Sequence, residues 1–200
     1  MPSDQTPAYL IKREDLPHLY PTNFHAGEFW EALGRTIGTF GVLEETLVKA
    51  IFAFTAQRKV DPENAKEEYL AWVHELEQTI SDPLGGLLKR YSRAVKDYPD
   101  LRIENIDDLL ADIEAAKNLR NVLCHGSWRP PNNTGETIPF FVNNRGLVFR
   151  TPIDIEYLRN VQAQTTELIC DVVNSVTVHG WQFPSSGGPG SPIISEPKSD

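Results

Sequence analysis

Three polar side chains lie at the end of a predicted helix, in the stretch LRNVLCHGSWRPP over residues 119–131. They are Arg120, Asn121 and His125. Arginine has a permanent charge on a planar group that can hold a phosphoryl group, and histidine exchanges protons near neutral pH. Asn121 and His125 are four residues apart, so a helix places them on one face. The three residue types suit phosphate chemistry, whereas the simpler interpretation is helix capping and surface charge.

Two charged residues interrupt apolar helix faces elsewhere in the sequence. The first predicted helix, over about residues 28–57, has apolar side chains at steps of three and four, and Glu44 fills the one gap in that series. Arg120 shares a stripe with Ile113 and Leu123 on a later helix. Because isolated buried charges are very costly, we expect Glu44 and Arg120 to be buried and paired. A pair that only fixes helix register is the structural alternative.

Apolar periodicity and helix-end signals predict the elements that position these residues. Five helices are expected, at about residues 28–57, about 63–80, from Ser81-Asp82-Pro83 to before Pro99, from Asn105 to Cys124, and from Pro152 to about Val178. Gly126 is well placed to end the fourth helix. The runs TIPFFV and LVFRT flank Asn143-Asn144-Arg145-Gly146, as in a short hairpin. The fold class predicted is therefore an all-α bundle of about five helices with a small β-hairpin before the last helix.

The length and composition are typical of one domain with flanking segments. The chain has 200 residues, 40% of them apolar, which is enough for one core. We expect an irregular N-terminal arm over 1–23, a helical domain over 24–183 and a disordered tail rich in Pro, Gly and Ser over 184–200. Gly34, Gly38 and Gly41 form a strip on the first helix that would permit close approach of another helix or chain.

Charge and cysteine usage exclude several classes of protein. The net charge of −9 argues against broad, non-specific nucleic-acid binding, so RNA or DNA would need a local basic site. The best candidate for such a site is a basic face on the third helix, formed by Lys89, Arg90, Arg93 and Lys96. Cys124 and Cys170, each in a predicted helix, are expected to be reduced core thiols. We expect no membrane span, no signal peptide and a cytoplasmic location.

Metal and thiol chemistry are poorly supported by the spacing of the candidate residues. The five histidines are scattered, without HxxxH or CxxC spacing, so no metal site and no cofactor are expected. Cys124 and His125 are neighbours on a helix and therefore point about 100° apart, which does not make a catalytic dyad.

The sequence RNVLCH over residues 120–125 resembles the Arg-polar-x(3–5)-His motif of the HEPN superfamily. These are helical domains that include many metal-independent ribonuclease toxins and abortive-infection proteins. The resemblance covers about residues 24–183 and includes an acidic residue, Glu44, on the first long helix. The chain departs from the best-known toxins in the hairpin before its last helix, and the superfamily also contains non-catalytic members.

The resemblance implies an endoribonuclease that cleaves RNA by 2′-OH transesterification at a site shared by two protomers. It implies that Arg120, Asn121 and His125 are catalytic, that Glu44 supports them through the ion pair, and that the protein is a homodimer. The biological role implied is a toxin of a toxin–antitoxin pair, or antiviral defence with an antitoxin or defence-system partner protein. The alternative is a non-catalytic HEPN-like bundle that serves as a protein-interaction or dimerisation module.

Overall fold

Five α-helices form in a computed structural model that describes residues 10–58 and 60–186. They are α1 (Gly27–Thr55), α2 (Ala65–Ile80), α3 (Leu84–Lys96), α4 (Ile106–His125) and α5 (Ile155–Thr177). A short 3-10 turn over Arg13–Asp15 precedes them. The all-α class is confirmed, and helix ends lie within a few residues of those predicted because the apolar series stop there.

The first and last helices form the centre of the bundle. Helix α1 has its most extensive interface with α5 and also packs against α2, α3 and α4. Buried positions recur at helical spacing along both helices, so one face of each lies in the core. The hydroxyl of Thr36 on α1 donates to the backbone oxygen of Leu158 on α5, at 3.0 Å. Thr36 is fully buried, and this bond satisfies its polar group.

Helix α3 closes the core from a second side. Tyr91 is fully buried, and its hydroxyl donates to the Ser175 oxygen at 2.7 Å. The Ser175 hydroxyl in turn donates to the backbone oxygen of Val172, at 2.7 Å. Burial raises the pKa of Tyr91 to about 12. This chain of hydrogen bonds links α3 to α5 with no polar group of the three left unsatisfied.

Helix α2 buries less of its apolar surface than the sequence suggests. Trp72 packs on α1, and its indole N–H donates to the Thr55 hydroxyl oxygen at 2.9 Å. The apolar side chains that the sequence of this helix offers for burial include Tyr69, Leu70 and Ile80, yet all three are exposed. A helix on the edge of a bundle has only one stripe in contact with its neighbours, and these three side chains lie outside it.

Residues 126–153, which run from the end of α4 to the N-cap of α5, correct the hairpin prediction, because the described residues contain no strand there. Three isolated antiparallel bridges form instead, between Ser127 and Phe140, Thr137 and Ile153, and Val142 and Val148. Pro139 lies between two of these bridges and has no backbone N–H to donate, so a continuous ladder is interrupted.

The two cysteines differ in their exposure to solvent. Both cysteines are free thiols, but Cys170 is exposed, so its prediction as a core thiol was wrong. Cys170 is two residues from the buried Leu168, and residues two apart point to nearly opposite sides of a helix.

The predicted disordered tail falls mostly on 187–200, and much of the predicted arm falls on 1–9; both ranges lie outside the described residues. None of the described helices has the length and apolar character to cross a membrane.

Candidate active site at the end of helix α4

Glu44 and Arg120 meet across helices α1 and α4. The Arg120 Nη2 atom lies 3.3 Å from the Glu44 Oε1 atom, so the two apolar stripes do bring these charges together as expected. The expected burial is only partial, because the Arg120 and Glu44 side chains remain 27% and 26% exposed. The pair therefore lies at the edge of the core and is neither fully buried nor fully solvated.

The contact leaves hydrogen-bonding capacity unused. The Glu44 Oε1 atom is shielded from solvent, and no aligned hydrogen bond to it forms among the described residues. The ion pair thus brings the charges close without the parallel, bidentate geometry that makes an arginine–carboxylate pair strong. Within the described part of the chain, the Arg120 guanidinium donates no hydrogen bond that meets the geometric criteria, so its donors are not committed to another side chain or to the backbone.

Asn121 and His125 occupy the last turns of α4. Asn121 is partly buried, and His125 is exposed and is the final residue of the helix. Over the described part of the chain, neither side chain has a hydrogen-bond partner or an ion pair. The two lie on one helix face, whereas Arg120 and His125 point about 140° apart around the helix axis. A single protomer therefore does not direct the Arg120 and His125 side chains to one point.

Gly126 ends α4 under a tight contact. A Cβ atom at this position would lie 2.6 Å from the Val122 carbonyl oxygen and 2.8 Å from the Pro139 Cβ. The backbone has φ −68°, so glycine is required by the lack of space and not by an unusual conformation. Pro139 therefore fixes the connection of residues 126–153 against the end of α4, directly after His125.

Aromatic side chains anchor the chain just beyond the candidate residues. Trp128 lies edge-on to Phe29, with ring centroids 5.1 Å apart, and also contacts Trp30 and His25 from the start of α1. A ring nitrogen of His25 lies 2.8 Å from the Arg129 carbonyl oxygen. These contacts hold the exit from α4 on the N-terminal turn of α1.

Acidic neighbours pair with half of the cations in the basic face predicted on α3. The Arg90 Nε donates to the Asp82 Oδ2 at 2.6 Å, and Arg90 Nη1 lies 3.4 Å from Glu75 Oε1. Lys96 Nζ donates to Asp107 Oδ1 at 2.7 Å. Two of the four cations of this face are therefore already paired, which makes it a weaker phosphate-binding surface than the sequence suggests.

One concave feature lies away from these residues. A cavity of about 480 Å³ is lined by the N-terminal half of α4, including Asp108 and Asp112, and by Asp171 and Asn174 of α5. None of the candidate residues lines it. Residues 10–58 and 60–186 contain no group of three His, Cys, Asp or Glu side chains placed to hold a metal ion.

Comparisons with known proteins add no further assignment. The chain matches no protein-family model, no curated protein and no solved structure.

Proposed function

We propose that this protein is a metal-independent endoribonuclease of the toxin or abortive-infection type, acting in the cytoplasm. The observation that carries the proposal is the contact of Arg120 with Glu44, 3.3 Å apart and partly exposed, at the helix end that also presents Asn121 and His125. A guanidinium with free N–H groups, an amide and an imidazole are the groups needed to bind a phosphodiester and move protons around it. The domain would be a HEPN-like bundle.

The proposed reaction is an internal transesterification of RNA. A base removes the proton of a ribose 2′-OH, and the 2′ oxygen forms a bond to the adjacent phosphorus. The bond from phosphorus to the 5′ oxygen breaks, and an acid returns a proton to that leaving oxygen. The products are a 2′,3′-cyclic phosphate and a 5′-OH. No water and no redox partner are consumed.

Each candidate residue has a distinct role in this scheme. Arg120 neutralises the charge that develops on the phosphoryl oxygens, and Glu44 holds its guanidinium at the site. Asn121 orients the phosphate or the His125 ring from the same helix face. His125 transfers the proton. It lies at the C-terminal end of α4, where the helix dipole favours a positive charge.

The scheme requires a homodimer. Base and acid act on opposite sides of the phosphorus, and each protomer offers one imidazole in the right place. Two protomers related by a two-fold axis would supply two copies of His125. The glycine strip of α1 supports this arrangement, because its three glycines are exposed and open on the outside, and Gly41 precedes Glu44 by one helical turn.

The test is cleavage of mixed cellular RNA by purified protein in EDTA. His125→Ala should lower the rate by roughly 10²–10⁴, and Arg120→Ala should lower it as well. His18→Ala is the matched control, since His18 is also exposed but lies far along the chain from α4. Cleavage products should end in a cyclic phosphate. Equal rates for the wild type and the folded His125→Ala variant would refute the assignment.

The second candidate is a non-catalytic bundle that binds a partner protein, such as an antitoxin or a defence-system component. The open glycine strip of α1 favours it too, since a strip of small residues suits close packing by any helix. This candidate predicts that neither the wild type nor His125→Ala cleaves any RNA offered. A dimer or a complex with a partner would then be the functional species.

A further inference from the structure

The connection of residues 126–153 has one face turned to solvent. Thr137 and Ile153 exchange both backbone hydrogen bonds, at 2.9 and 2.8 Å, and Val142 pairs with Val148 further along. Both pairs follow the same antiparallel register, which places Phe140 across from Arg150. Because side chains alternate between the two sides of extended chain, residues 138, 140 and 142 share a side with residues 148 and 150.

The solvent side of this connection is apolar and aromatic. We call it the ribbon face; it consists of Ile138, Phe140, Val142, Val148 and Arg150. All five side chains are exposed, and Phe140 keeps 54% of its accessible surface. The intervening Pro139 and the paired Ile153 are buried on the other side. A contiguous group of exposed apolar side chains on a folded domain marks a binding surface.

Positive charge surrounds the aromatic ring of the ribbon face. The Arg129 Cζ atom lies 5.5 Å from the centre of the Phe140 ring. By the register of the two neighbouring pairs, Arg150 lies opposite Phe140 on the same side of the chain. The stretch between α4 and α5, which includes Asp154, contains three arginines and two acidic residues, a net charge of +1 in a chain of net charge −9. Neither Arg129 nor Arg150 forms an ion pair with any described residue.

The ribbon face begins where the candidate active site ends. Ser127 and Phe140 exchange backbone hydrogen bonds of 3.0 and 2.8 Å. Ser127 follows His125 by two residues, a span of about 7 Å in extended chain, and neighbouring strands lie about 5 Å apart. Phe140 is therefore within roughly 10 Å of the His125 backbone, and the Pro139–Gly126 contact keeps it there.

We propose that the ribbon face binds single-stranded RNA, with one base stacked on Phe140 and flanking phosphates held by Arg129 and Arg150. A base can reach a phenylalanine ring on a surface only when it is not stacked within a duplex, which selects single strands. Arginine beside an aromatic ring adds both charge and a planar stacking surface. The inference rests on the proposed function for its choice of RNA, and it assigns substrate-binding residues outside the α4 motif.

Charge distinguishes this occupant from a second copy of the chain. A second copy brings a net charge of −9 spread over its surface, whereas single-stranded RNA brings a regular series of phosphates and bases. The ribbon face and its neighbour Arg129 offer arginines that complement the phosphates and an exposed aromatic ring that complements a base, all within a short stretch of chain. An interface between copies through this face is the outcome that would oppose the proposal.

The experiment measures RNA binding without cleavage. The full chain carrying His125→Ala is titrated against a fluorescein-labelled single-stranded RNA of about 12 nucleotides and mixed sequence, and anisotropy is recorded at several salt concentrations. Adding Phe140→Ala should weaken binding about 5- to 150-fold, the loss expected for one stacked base. Phe140→Tyr should restore it. Arg150→Gln should reduce the slope of log affinity against log salt by about 0.7.

Tyr69→Ala and Lys66→Gln on α2 are the matched controls, because both positions are exposed and lie outside the connection. Unchanged binding in Phe140→Ala, or no RNA binding by the parent protein, would overturn the proposal. A shift of Phe140→Ala from dimer to monomer in sedimentation would reassign the face to an interface between copies. If the wild type cleaves RNA but Phe140→Ala does not weaken RNA binding, the role of the ribbon face is refuted and the proposed nuclease activity is not. If Phe140→Ala weakens RNA binding but the wild type does not cleave RNA, the proposed nuclease activity is refuted and the role of the ribbon face is not.

Discussion

Glu44 and Arg120 come from the first and fourth helices, and their charged groups lie 3.3 Å apart at the edge of the core. The Glu44 side chain is 26% exposed and the Arg120 side chain is 27% exposed. A pair at this depth is neither fully solvated nor fully desolvated. Its contribution should fall between those of surface pairs and of buried pairs.

We expect Glu44→Gln to lower the free energy of unfolding by about 1–3 kcal/mol, because Arg120 loses its counter-charge in a partly desolvated position. Urea unfolding followed by circular dichroism measures this. The neighbouring Glu45→Gln is the control, since Glu45 is 65% exposed and, among the described residues, forms an ion pair only with Lys49 on the same helix face. Its loss should stay near 0.5 kcal/mol or less. Equal effects of the two substitutions would show that the Arg120 contact is not special.

Gly126→Ala should destabilise the protein by about 1–3 kcal/mol, the usual cost of forcing an extra carbon into packed space. The reason is steric, since the new Cβ would meet the Val122 oxygen at 2.6 Å and the Pro139 Cβ at 2.8 Å. Gly27→Ala has no atom within 4 Å of the added carbon and serves as the control. Thermal unfolding of both variants decides the matter, and a stable Gly126→Ala would mean that Pro139 moves aside freely.

Gly38→Leu should weaken dimer formation without unfolding the protomer. Gly38 is exposed in the middle of the α1 strip, so leucine fits the monomer, but it would hold a second helix away from this face. Sedimentation equilibrium at micromolar concentration compares it with Ala71→Leu, which adds the same bulk to an exposed position of α2. A wild type that is monomeric under these conditions would refute the dimer itself.

Acidification should destabilise the fold through His179. Its ring lies among Phe54, Tyr98 and Trp181, where desolvation lowers its pKa below the ordinary 6.5, assisted by repulsion from Arg102 and opposed by Asp100. A lowered folded-state pKa means that the unfolded chain takes up the proton first. The stabilisation is therefore complete above about pH 6.5 and is lost as pH falls through the folded-state value.

Unfolding free energies measured between pH 7.5 and about 5 should fall less steeply for His179→Phe than for the wild type. His18→Phe provides the comparison, because His18 is exposed and packs against no described ring. Parallel curves for the wild type and His179→Phe would assign the acid sensitivity to the carboxylates instead.

The sequence specified helices better than surfaces. The α1 and α4 series each have one apolar stripe, so the register of these helices, and with it the Glu44–Arg120 contact, followed from spacing alone. The depth of that pair did not, because it depends on how neighbouring elements cover the helix ends. The burial of Tyr69 and Leu70 could not be predicted either, since the sequence of α2 does not indicate how many neighbouring elements cover the helix.

The ribbon face was hidden for a related reason. Isoleucine, proline, phenylalanine and valine follow one another in TIPFFV, so both sides of the extended chain are apolar. Alternation of polar and apolar residues, the usual signal for an exposed side, is absent there. Tertiary packing distinguishes the two sides, since Pro139 lies against Gly126 and Ile153 is buried in the core.

The pairing of α1 with α5 determines when the molecule can fold. Thr36 finds its hydrogen-bond acceptor in Leu158, and the core of α1 is completed by buried residues of α5, more than a hundred positions later. Contacts between such distant parts of a chain form late, because the long intervening loop must first be closed. During synthesis, the first helix leaves the ribosome long before its main partner exists. The candidate residues of α4 therefore remain on an incomplete scaffold until almost the whole domain has been translated.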